Sequence, residues 1–287
     1  MLVSIVIPCY NSGNYLEDAV ASVMNQTHND WEIIIVDDGS TDADTLTTLH
    51  ILELRQDSRI RVLRQDNAGP AAARNTAIAH AKGKYILPLD ADDTIEPSYM
   101  AQAIPVLERD SNIGIVYCKA KKFGLEQGIW ALPPFSYEEM AIDNVIFCTA
   151  FFRRNDWEVV GGFPETLIHG MEDYAFWLKI LAMHRKVHQI DDVLFNYRIK
   201  ARSRTSDFHE NKEQIFSTYA EIFRDNIEYF ARYAEAIYRY RFHLEAKIPK
   251  NRIKTIMARL LKHSPLIYGK TRSIYAIIKI NLKNRGI

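Results

Sequence analysis

The sequence Tyr85-Ile86-Leu87-Pro88-Leu89-Asp90-Ala91-Asp92-Asp93 joins an apolar run to three closely spaced carboxylates. Such a run predicts a short buried strand. Carboxylates this close repel one another, so either some are protonated or a cation lies among them. Mg²⁺ and Mn²⁺ take such oxygen ligands, usually one or two carboxylates together with phosphate oxygens. The alternative is a polar turn in which one carboxylate, such as that of Asp93, caps the next helix.

Strand and helix patterns alternate in the segments before this stretch. The predicted strands are residues 2–8, 31–36 and 60–63. The predicted helices are residues 14–26, a helix that is capped by Thr41 or Asp42 and ends near residue 54, and residues 71–81. This alternation indicates an α/β fold with a mostly parallel central sheet flanked by helices. Polar residues follow three of the strands, at Tyr10-Asn11, Asp37-Asp38 and the acidic turn. Parallel strands end at one edge of a sheet, and nucleotides bind at such an edge.

The second half of the chain has weaker patterns. It predicts helices at 97–109, 137–142 and 172–183, strands at 113–117, 145–152, 187–190 and 193–197, and an irregular segment at 119–134. From about residue 208 the pattern is helical and largely continuous to 247. Pro249 breaks it, and two more helices are predicted near 252–262 and 271–284. These patterns predict a C-terminal helical extension.

Composition is that of a globular protein, with 47% hydrophobic and 25% charged residues among 287. The net charge of zero conceals an asymmetry, because residues 232–287 carry a charge of +12 and residues 1–231 carry −12. The three cysteines have no metal-ligand spacing, which predicts free thiols in a reducing compartment. No apolar run approaches the roughly 20 residues of a spanning helix, and no signal-peptide pattern opens the chain.

A set of motifs gives the sequence a family resemblance. They are Val3-Ser4-Ile5-Val6-Ile7-Pro8-Cys9-Tyr10-Asn11, Asp37-Asp38-Gly39-Ser40-Thr41-Asp42, Asn67-Ala68-Gly69-Pro70-Ala71-Ala72-Ala73-Arg74-Asn75, Leu89-Asp90-Ala91-Asp92-Asp93, Gly161-Gly162-Phe163, Glu172-Asp173-Tyr174 and Tyr197-Arg198. Together they resemble the inverting family 2 glycosyltransferases of GT-A fold that assemble bacterial cell-surface polysaccharides. The resemblance covers about residues 2–206. It implies a catalytic domain at 1–206, with a nucleotide-sugar-binding half at 1–117 and an acceptor-binding half at 118–206, before a basic helical region at 207–287.

The resemblance implies how the donor is held. Tyr10 would stack on the base, a contact worth roughly 1–3 kcal/mol, and Asp38 would accept a base N–H, which suits uracil and hence a UDP-sugar. Arg74 would contact the diphosphate, or alternatively form a salt bridge to the acidic edge. Mn²⁺ or Mg²⁺ is the implied cofactor, with Asp92 and Asp90 as its ligands. The implied nucleotide-sugar-binding residues are Pro8, Tyr10, Asn11, Asp38, Arg74, Asp90 and Ala91.

The resemblance also implies the chemistry. Asp173 would be the general base of a single in-line displacement at the anomeric carbon, activating a hydroxyl of a saccharide or lipid-linked acceptor. Glu172 and Trp177 would orient groups or contact the acceptor. The alternatives are that Asp173 only caps its helix and that Trp177 lies in the core. The implied activity belongs to polysaccharide, O-antigen or capsule assembly.

One position departs from the family pattern. Two residues after Arg198, where many relatives carry a histidine, this chain has Lys200. A protonated lysine cannot ligate a metal, so Lys200, Arg202 or Arg204 would hold the diphosphate directly. The alternative is a solvated basic loop.

Other interpretations of the chain concern its tail and its activity. The basic, aromatic tail suits an anionic membrane surface, which predicts a cytoplasmic protein on the cytosolic face of the inner membrane. The alternatives are packing on the catalytic body and a homodimer interface, and no motif predicts nucleic-acid binding. A catalytically degenerate GT-A binding subunit is disfavoured by the presence of Asp92, Arg74 and Asp173. A sugar-nucleotide pyrophosphorylase is disfavoured because Pro8-Cys9-Tyr10-Asn11 is not a glycine-rich loop with a basic residue.

Overall fold

The computed structural model describes residues 1–247, and the helices predicted near 252–262 and 271–284 lie outside this range. The chain divides into two compact units, residues 1–234 and residues from 235 onward. The first unit contains the sheet with the helices around it. Of the second, the structure describes the helix Ala234–Lys247.

One sheet organises the first unit. Within residues 1–247 it has nine strands in the order β3-β2-β1-β4-β8-β6-β9-β5, with β7 paired to β6 outside that order. The strands are β1 Val3–Cys9, β2 Trp31–Asp38, β3 Ile60–Gln65, β4 Tyr85–Pro88, β5 Thr94–Ile95, β6 Ile113–Gly124, β7 Gly128–Trp130, β8 Phe151–Arg153 and β9 Lys186–Ile199. The first four strands in this order run parallel to one another. Strand β8 is antiparallel to both β4 and β6, and β6 is again parallel to β9. The predicted mostly parallel α/β fold is confirmed.

The sequence explains why β1, β2 and β4 form the centre. Every residue of these strands is buried, as expected for apolar, β-branched strands covered by helices on both faces. Their parallel pairing brings their carboxyl ends to one edge of the sheet. Tyr10, Asp38 and the acidic turn at 90–93 therefore lie along the same edge, as predicted.

Helices flank the sheet, and the residues that cap the N-termini of α2 and α4 test two of the predictions. The helices are α1 Gly13–Met24, α2 Ala43–Leu54, α3 Pro70–Ala79, α4 Tyr99–Arg109, α5 Tyr137–Met140, α6 Arg154–Val160, α7 Glu172–Ala182, α8 Arg204–Glu210, α9 Lys212–Asp225, α10 Ile227–Arg232 and α11 Ala234–Lys247. The Asp42 carboxylate caps α2 by accepting the N–H of Thr45 at 2.8 Å. The expectation that Asp93 caps the next helix is wrong, because the cap position of α4 is Ser98. Asp93 instead accepts the backbone N–H of Arg198 at 2.8 Å.

The second half of the sheet differs most from the sequence patterns. The segment expected to be irregular at 119–134 continues β6 to Gly124 and returns as β7, an antiparallel hairpin. The two short strands expected at 187–190 and 193–197 are one strand, β9. Its register against β6 shifts between the pairs Cys118–Ile190 and Lys119–Val193, so the two intervening aspartates are accommodated as an irregularity.

The helical stretch expected to run continuously from residue 208 is interrupted at Asn211, Asn226 and Tyr233, and the two asparagines make side-chain contacts that explain their breaks. Asn211 separates α8 from α9, and its side chain accepts the N–H of Gln214 at 3.2 Å. Asn226 separates α9 from α10, and its side-chain amide donates to the carbonyl of Ile222 at 2.9 Å. Asparagine side chains compete with the helix for backbone groups, which explains a break that the apolar periodicity does not predict.

Two further observations concern the cysteines and the membrane. Cys9, Cys118 and Cys148 are free thiols, as predicted. Among residues 1–247, no helix combines the length and apolarity needed to cross a bilayer.

Candidate active site

The acidic turn after β4 is surrounded by cationic and N–H partners. Asp90 accepts from the Arg74 guanidinium at 2.6 Å, and the Asp92 carboxylate forms an ion pair with the Lys200 ammonium. Asp93 is buried and accepts the backbone N–H of Arg198. Burial, together with the charges of Asp92 and Asp90, raises the pKa of Asp93 well above its ordinary value. The repulsion expected among these carboxylates is therefore reduced by pairing at Asp90 and Asp92, and the raised pKa of Asp93 favours its protonated form.

Arg74 links this turn to the second half of the domain. Its Nη1 donates to Glu172 Oε1 at 2.7 Å and its Nη2 donates to Asp90 Oδ1 at 2.6 Å. The Arg74 and Glu172 side chains are 3% and 2% exposed. Of the two interpretations of Arg74, the salt bridge to the acidic edge is the contact that the structure contains.

The neighbouring Asn75 fixes α3 against the glycine turn. Its side-chain amide donates to the Phe163 carbonyl and its Oδ1 accepts the Phe163 N–H, both at 2.9 Å. Gly162 has a φ of +80°, and a Cβ there would lie 2.7 Å from Asn75 Oδ1, so this position requires glycine. The two motifs Arg74-Asn75 and Gly161-Gly162-Phe163 are thus parts of one contact.

Glu172 is a buried carboxylate held by two arginines. Besides Arg74, it accepts from Arg204 Nη2 at 2.5 Å. Burial alone would raise the pKa of Glu172, but the charges of Arg204 and Arg74 and their hydrogen bonds lower it to about 2. The two arginines therefore favour the ionised form of Glu172, which lies beside Asp173.

Asp173 has a different environment from its neighbour. It is half-buried on the first turn of α7, and its oxygens accept from the Tyr174 N–H at 2.8 Å and from the Asn144 side-chain amide at 3.3 Å. Burial and the negative charge of Glu172 raise the pKa of Asp173 to about 6, against the opposing effect of Arg74. A pKa in this range suits a general base that operates near neutral pH. Met171, the residue before α7, has a left-handed φ of +67°, which is uncommon for a side chain of this size.

The sheet edge beyond β1 and β2 carries the remaining residues that were expected at the donor site. Tyr10 is 49% exposed. The Asn11 side chain accepts the N–H of Thr41 at 2.9 Å and that of Asp42 at 3.3 Å, which joins the loops after β1 and β2. Pro8 lies buried within β1, and Ala91 lies buried in the acidic turn.

Asp38 is buried at this end of the edge. It accepts from the Gln65 side chain, the Ala68 N–H and the Gly69 N–H at 2.8 to 2.9 Å. These three bonds hold the loop before α3. A carboxylate has about four acceptor positions, so one remains for a base N–H.

Two residues expected to contact substrate have other partners in the structure. Trp177 is fully buried and packs on Phe152 and Phe176, so it belongs to the core and cannot touch an acceptor. Arg202 is 83% exposed and pairs with Asp207 at 3.0 Å, so it fits the alternative of a solvated loop. Lys200 and Arg204 do reach the site.

Sequence reasoning did not identify Asn144 or Tyr15 as site residues. Asn144 follows a short helix in a turn of ordinary composition, and only the fold brings it to Asp173. Tyr15 has the spacing of an apolar helix face, yet its ring centroid lies 4.8 Å from the Arg198 guanidinium and 5.4 Å from the Lys200 ammonium. Neither residue carries a sequence signal that distinguishes it from a structural one.

The donor set at the acidic turn fits a divalent cation only in part. Asp92 and Asp90 are partly exposed carboxylates, the hard oxygen ligands that Mg²⁺ and Mn²⁺ prefer. Within the described range, no group of three or more histidine, cysteine, aspartate or glutamate side chains is placed to hold a metal ion. A cation here would take one or two protein ligands and complete its coordination with phosphate oxygens and water.

Comparison with known sequences agrees with this geometry. Residues 4–159 match the family described as glycosyl transferase family 2. The chain is 32% identical over 230 residues to TuaG of Bacillus subtilis, a glycosyltransferase assigned provisionally to teichuronic acid biosynthesis, covering 78% of this chain and 89% of TuaG. It is also 32% identical over 199 residues to a chondroitin synthase of Pasteurella multocida. That match covers 68% of this chain but only 20% of the synthase.

Solved structures share the fold at lower identity. Staphylococcus aureus TarS 1-349, in complex with UDP-GlcNAc, superimposes with a TM-score of 0.65 and 20% identity, covering 88% of this chain and 77% of that chain. A mannosyltransferase of Pyrobaculum calidifontis, in complex with GDP-Man and Mn²⁺, gives a TM-score of 0.58 and 20% identity, covering 98% and 86%. These two likenesses show that the fold is GT-A-like.

Proposed function

The chain belongs to glycosyltransferase family 2, and on that premise we propose that it transfers a sugar, with inversion, from a nucleoside-diphosphate sugar to a hydroxyl of a saccharide or lipid-linked acceptor. The observation that carries this proposal is the double pairing of Arg74. One guanidinium joins Asp90, at the sheet edge where nucleotides bind, to Glu172, the neighbour of Asp173. This pairing ties the donor edge to the candidate base through a buried contact.

The donor in this proposal is a UDP-sugar. Tyr10 supplies an exposed ring on which a base can stack, and Asp38 retains an acceptor position for a base N–H. The structure of TarS with UDP-GlcNAc, a protein of the same fold, supports this choice. The backbones at Pro8, Asn11 and Ala91 complete the proposed nucleotide site.

The cofactor in this proposal is Mn²⁺ or Mg²⁺, with Asp92 and Asp90 as its protein ligands. The mannosyltransferase of the same fold binds Mn²⁺ together with its donor, which supports the assignment. When bound, such a cation would neutralise negative charge on the diphosphate leaving group. Lys200 and Arg204 would add positive charge from the protein itself.

The reaction is proposed to be a single displacement. The acceptor oxygen forms a bond to the anomeric carbon while the bond from that carbon to the diphosphate oxygen breaks, and the leaving group retains the electron pair. Asp173 takes the proton of the acceptor hydroxyl. Glu172 keeps Arg74 and Arg204 in position and raises the basicity of Asp173.

The domain roles follow the same proposal. Residues 1–117 bind the nucleotide sugar and residues 118–206 bind the acceptor, and of the basic region at 207–287 the structure describes residues 207–247. The resemblance to TuaG supports a role in cell-surface polysaccharide assembly, and the acceptor would then be presented at the cytosolic face of the membrane.

The described part of the basic region supports membrane association. Helix α11 exposes the aromatic side chains of Tyr238, Tyr240 and Phe242. Arginines at 239 and 241 alternate with them along the sequence. Aromatic residues beside basic ones suit the interface of an anionic bilayer.

The experiment that tests the proposed function is a screen of nucleotide sugars with the purified full chain. We expect hydrolysis of one UDP-sugar in the presence of Mn²⁺ or Mg²⁺ and release of UDP that accelerates when acceptor is added. If no nucleotide sugar is hydrolysed under any of these conditions, the proposal fails and a degenerate binding subunit becomes the better account.

A further inference from the structure

The ion pair between Lys200 and Asp92 engages the carboxylate that is proposed above as a ligand of the divalent cation. The two side chains are 25% and 21% exposed, so neither is freely solvated. Lys200 also lies against the Tyr15 ring. The carboxylate most suited to a metal therefore already has a cationic partner that belongs to the protein.

The fold fixes this pairing through Arg198. The Arg198 N–H donates to Asp93 Oδ1 at 2.8 Å, its Nε donates to the Asp92 carbonyl at 2.7 Å, and its Nη2 donates to Asp18 Oδ2 at 2.8 Å. The first two bonds hold the end of β9 on the acidic turn, and the third joins it to α1. Lys200 lies two residues later, so the same contacts fix its backbone position and keep its ammonium beside Asp92.

Electrostatics makes the two cations competitors. A protonated amine cannot ligate a metal, and two cations sharing one carboxylate repel one another. A divalent cation that enters the donor-free site must separate Lys200 from Asp92. A nucleoside diphosphate changes this balance, because its phosphate oxygens can accept the Lys200 ammonium and leave Asp92 available.

We propose that Lys200 is an exchangeable counter-ion of Asp92, which excludes the divalent cation from the donor-free site and passes to the diphosphate when donor and metal bind. The proposal rests on the assignment of the acidic turn as the donor site. It has a thermodynamic consequence, because metal and nucleoside diphosphate must then strengthen each other's binding reciprocally. The lysine at this position therefore couples the two ligands, whereas a histidine there would only add a metal ligand.

The test measures Mn²⁺ binding by counting free Mn²⁺ with electron paramagnetic resonance, and UDP binding by calorimetry, with the full chain. Lys200→Met should bind Mn²⁺ alone about tenfold more tightly than wild type and bind UDP at saturating Mn²⁺ about tenfold more weakly. Lys200→Arg should keep the wild-type Mn²⁺ affinity, since the charge is retained. Lys122→Met is the matched control, because Lys122 is 27% exposed and pairs with Glu126, not with a carboxylate of the acidic turn.

Two outcomes would overturn the proposal. One is an Mn²⁺ affinity of Lys200→Met, without nucleotide, that equals or falls below that of wild type. The other is an equal gain in Mn²⁺ affinity in Lys122→Met, because the effect would then come from the change in net charge. Thermal unfolding of each variant, measured in parallel, confirms that folded proteins are compared. If no protein in the series binds UDP, the proposed function fails, and the Mn²⁺ measurements still decide the role of Lys200.

Discussion

Arg74 and Glu172 are 98 residues apart in the sequence, yet the Arg74 Nη1 and Glu172 Oε1 atoms lie 2.7 Å apart in the interior. Arg74 comes from α3, which follows the third strand of the parallel half of the sheet. Glu172 opens α7, whose Phe176 and Trp177 pack on Phe152 of β8. This ion pair, with Asp90 on the other side of the guanidinium, makes the acidic turn and the candidate base parts of one site.

Removal of Arg74 should destabilise the protein. Arg74→Met leaves the buried Glu172 carboxylate with Arg204 alone, and loss of one partner of a buried pair typically costs about 3 kcal/mol or more. Urea denaturation measures the change in the free energy of unfolding. The double variant Arg74→Met, Glu172→Gln should lose less than the sum of the two single changes, because the uncompensated charge is gone. A loss in Arg74→Met of about 0.5 kcal/mol, the size of an ordinary surface change, would contradict the account.

Transfer should depend on pH through Asp173. A general base must be ionised, so kcat/KM should be constant above the pKa of Asp173, about 6, and fall tenfold for each pH unit below it. A steady-state profile with the donor and acceptor identified by the screen measures this limb. A profile that remains flat well below pH 6 would remove Asp173 from the role of base.

Glu172 should control where that limb falls. Glu172→Gln removes a negative neighbour, which favours ionisation of Asp173, so the acid limb should move to lower pH. The matched control is Glu158→Gln, because Glu158 is an exposed carboxylate that pairs with Arg154 on α6. We expect the control to leave the pH profile unchanged. A shift of the acid limb to higher pH in Glu172→Gln would contradict the role given to Glu172.

Asn144 should support the ionised form of Asp173. Asn144→Ala removes the amide that donates to Asp173 Oδ2, so the acid limb should move to higher pH, with a fall in kcat/KM of about threefold to tenfold near neutral pH, as expected for loss of a hydrogen bond to a charged group. Asn112→Ala is the control, since the Asn112 side-chain amide also donates to an aspartate, Asp110, at an exposed position. If both variants keep the wild-type profile, Asn144 has only a structural role.

The sequence predicted some parts of this site and not others, for physical reasons. The edge carrying Tyr10, Asp38 and Asp90 was predictable because apolar strands that alternate with helices must run parallel, and the family assignment was predictable from motif order. The pairing of Lys200 with Asp92 was not predictable, because it depends on the register of β9. In the sequence, Asp191-Asp192 divide the apolar pattern of this strand into two short runs.

Trp177 was expected at the acceptor site, but the structure places it in the core. Its position on the same helix as Asp173 suggested contact with the acceptor, but Trp177 lies on the face of that helix that packs on Phe152 of β8. A sequence with weak periodicity does not indicate which face of such a helix is buried. The fold decided this point, not the local pattern.

The aromatic side chains of α11 should contribute to membrane binding. The full chain with Tyr238→Ser and Phe242→Ser should bind anionic vesicles about tenfold more weakly than wild type, because less apolar area would enter the interface. Vesicle co-sedimentation measures this, and Phe216→Ser removes an exposed aromatic of α9 as the control. Equal binding by all three proteins would contradict a role for α11.

The most direct test of the central claim is transfer by Asp173→Asn. The amide cannot accept the acceptor proton, so kcat/KM for sugar transfer should fall by about 10²- to 10⁴-fold, while the UDP affinity measured by calorimetry should stay within about twofold of wild type, since Asp173 is assigned no part in holding the donor. Transfer within tenfold of wild type, or loss of UDP binding in a variant that remains folded, would contradict the assignment of Asp173 as the base.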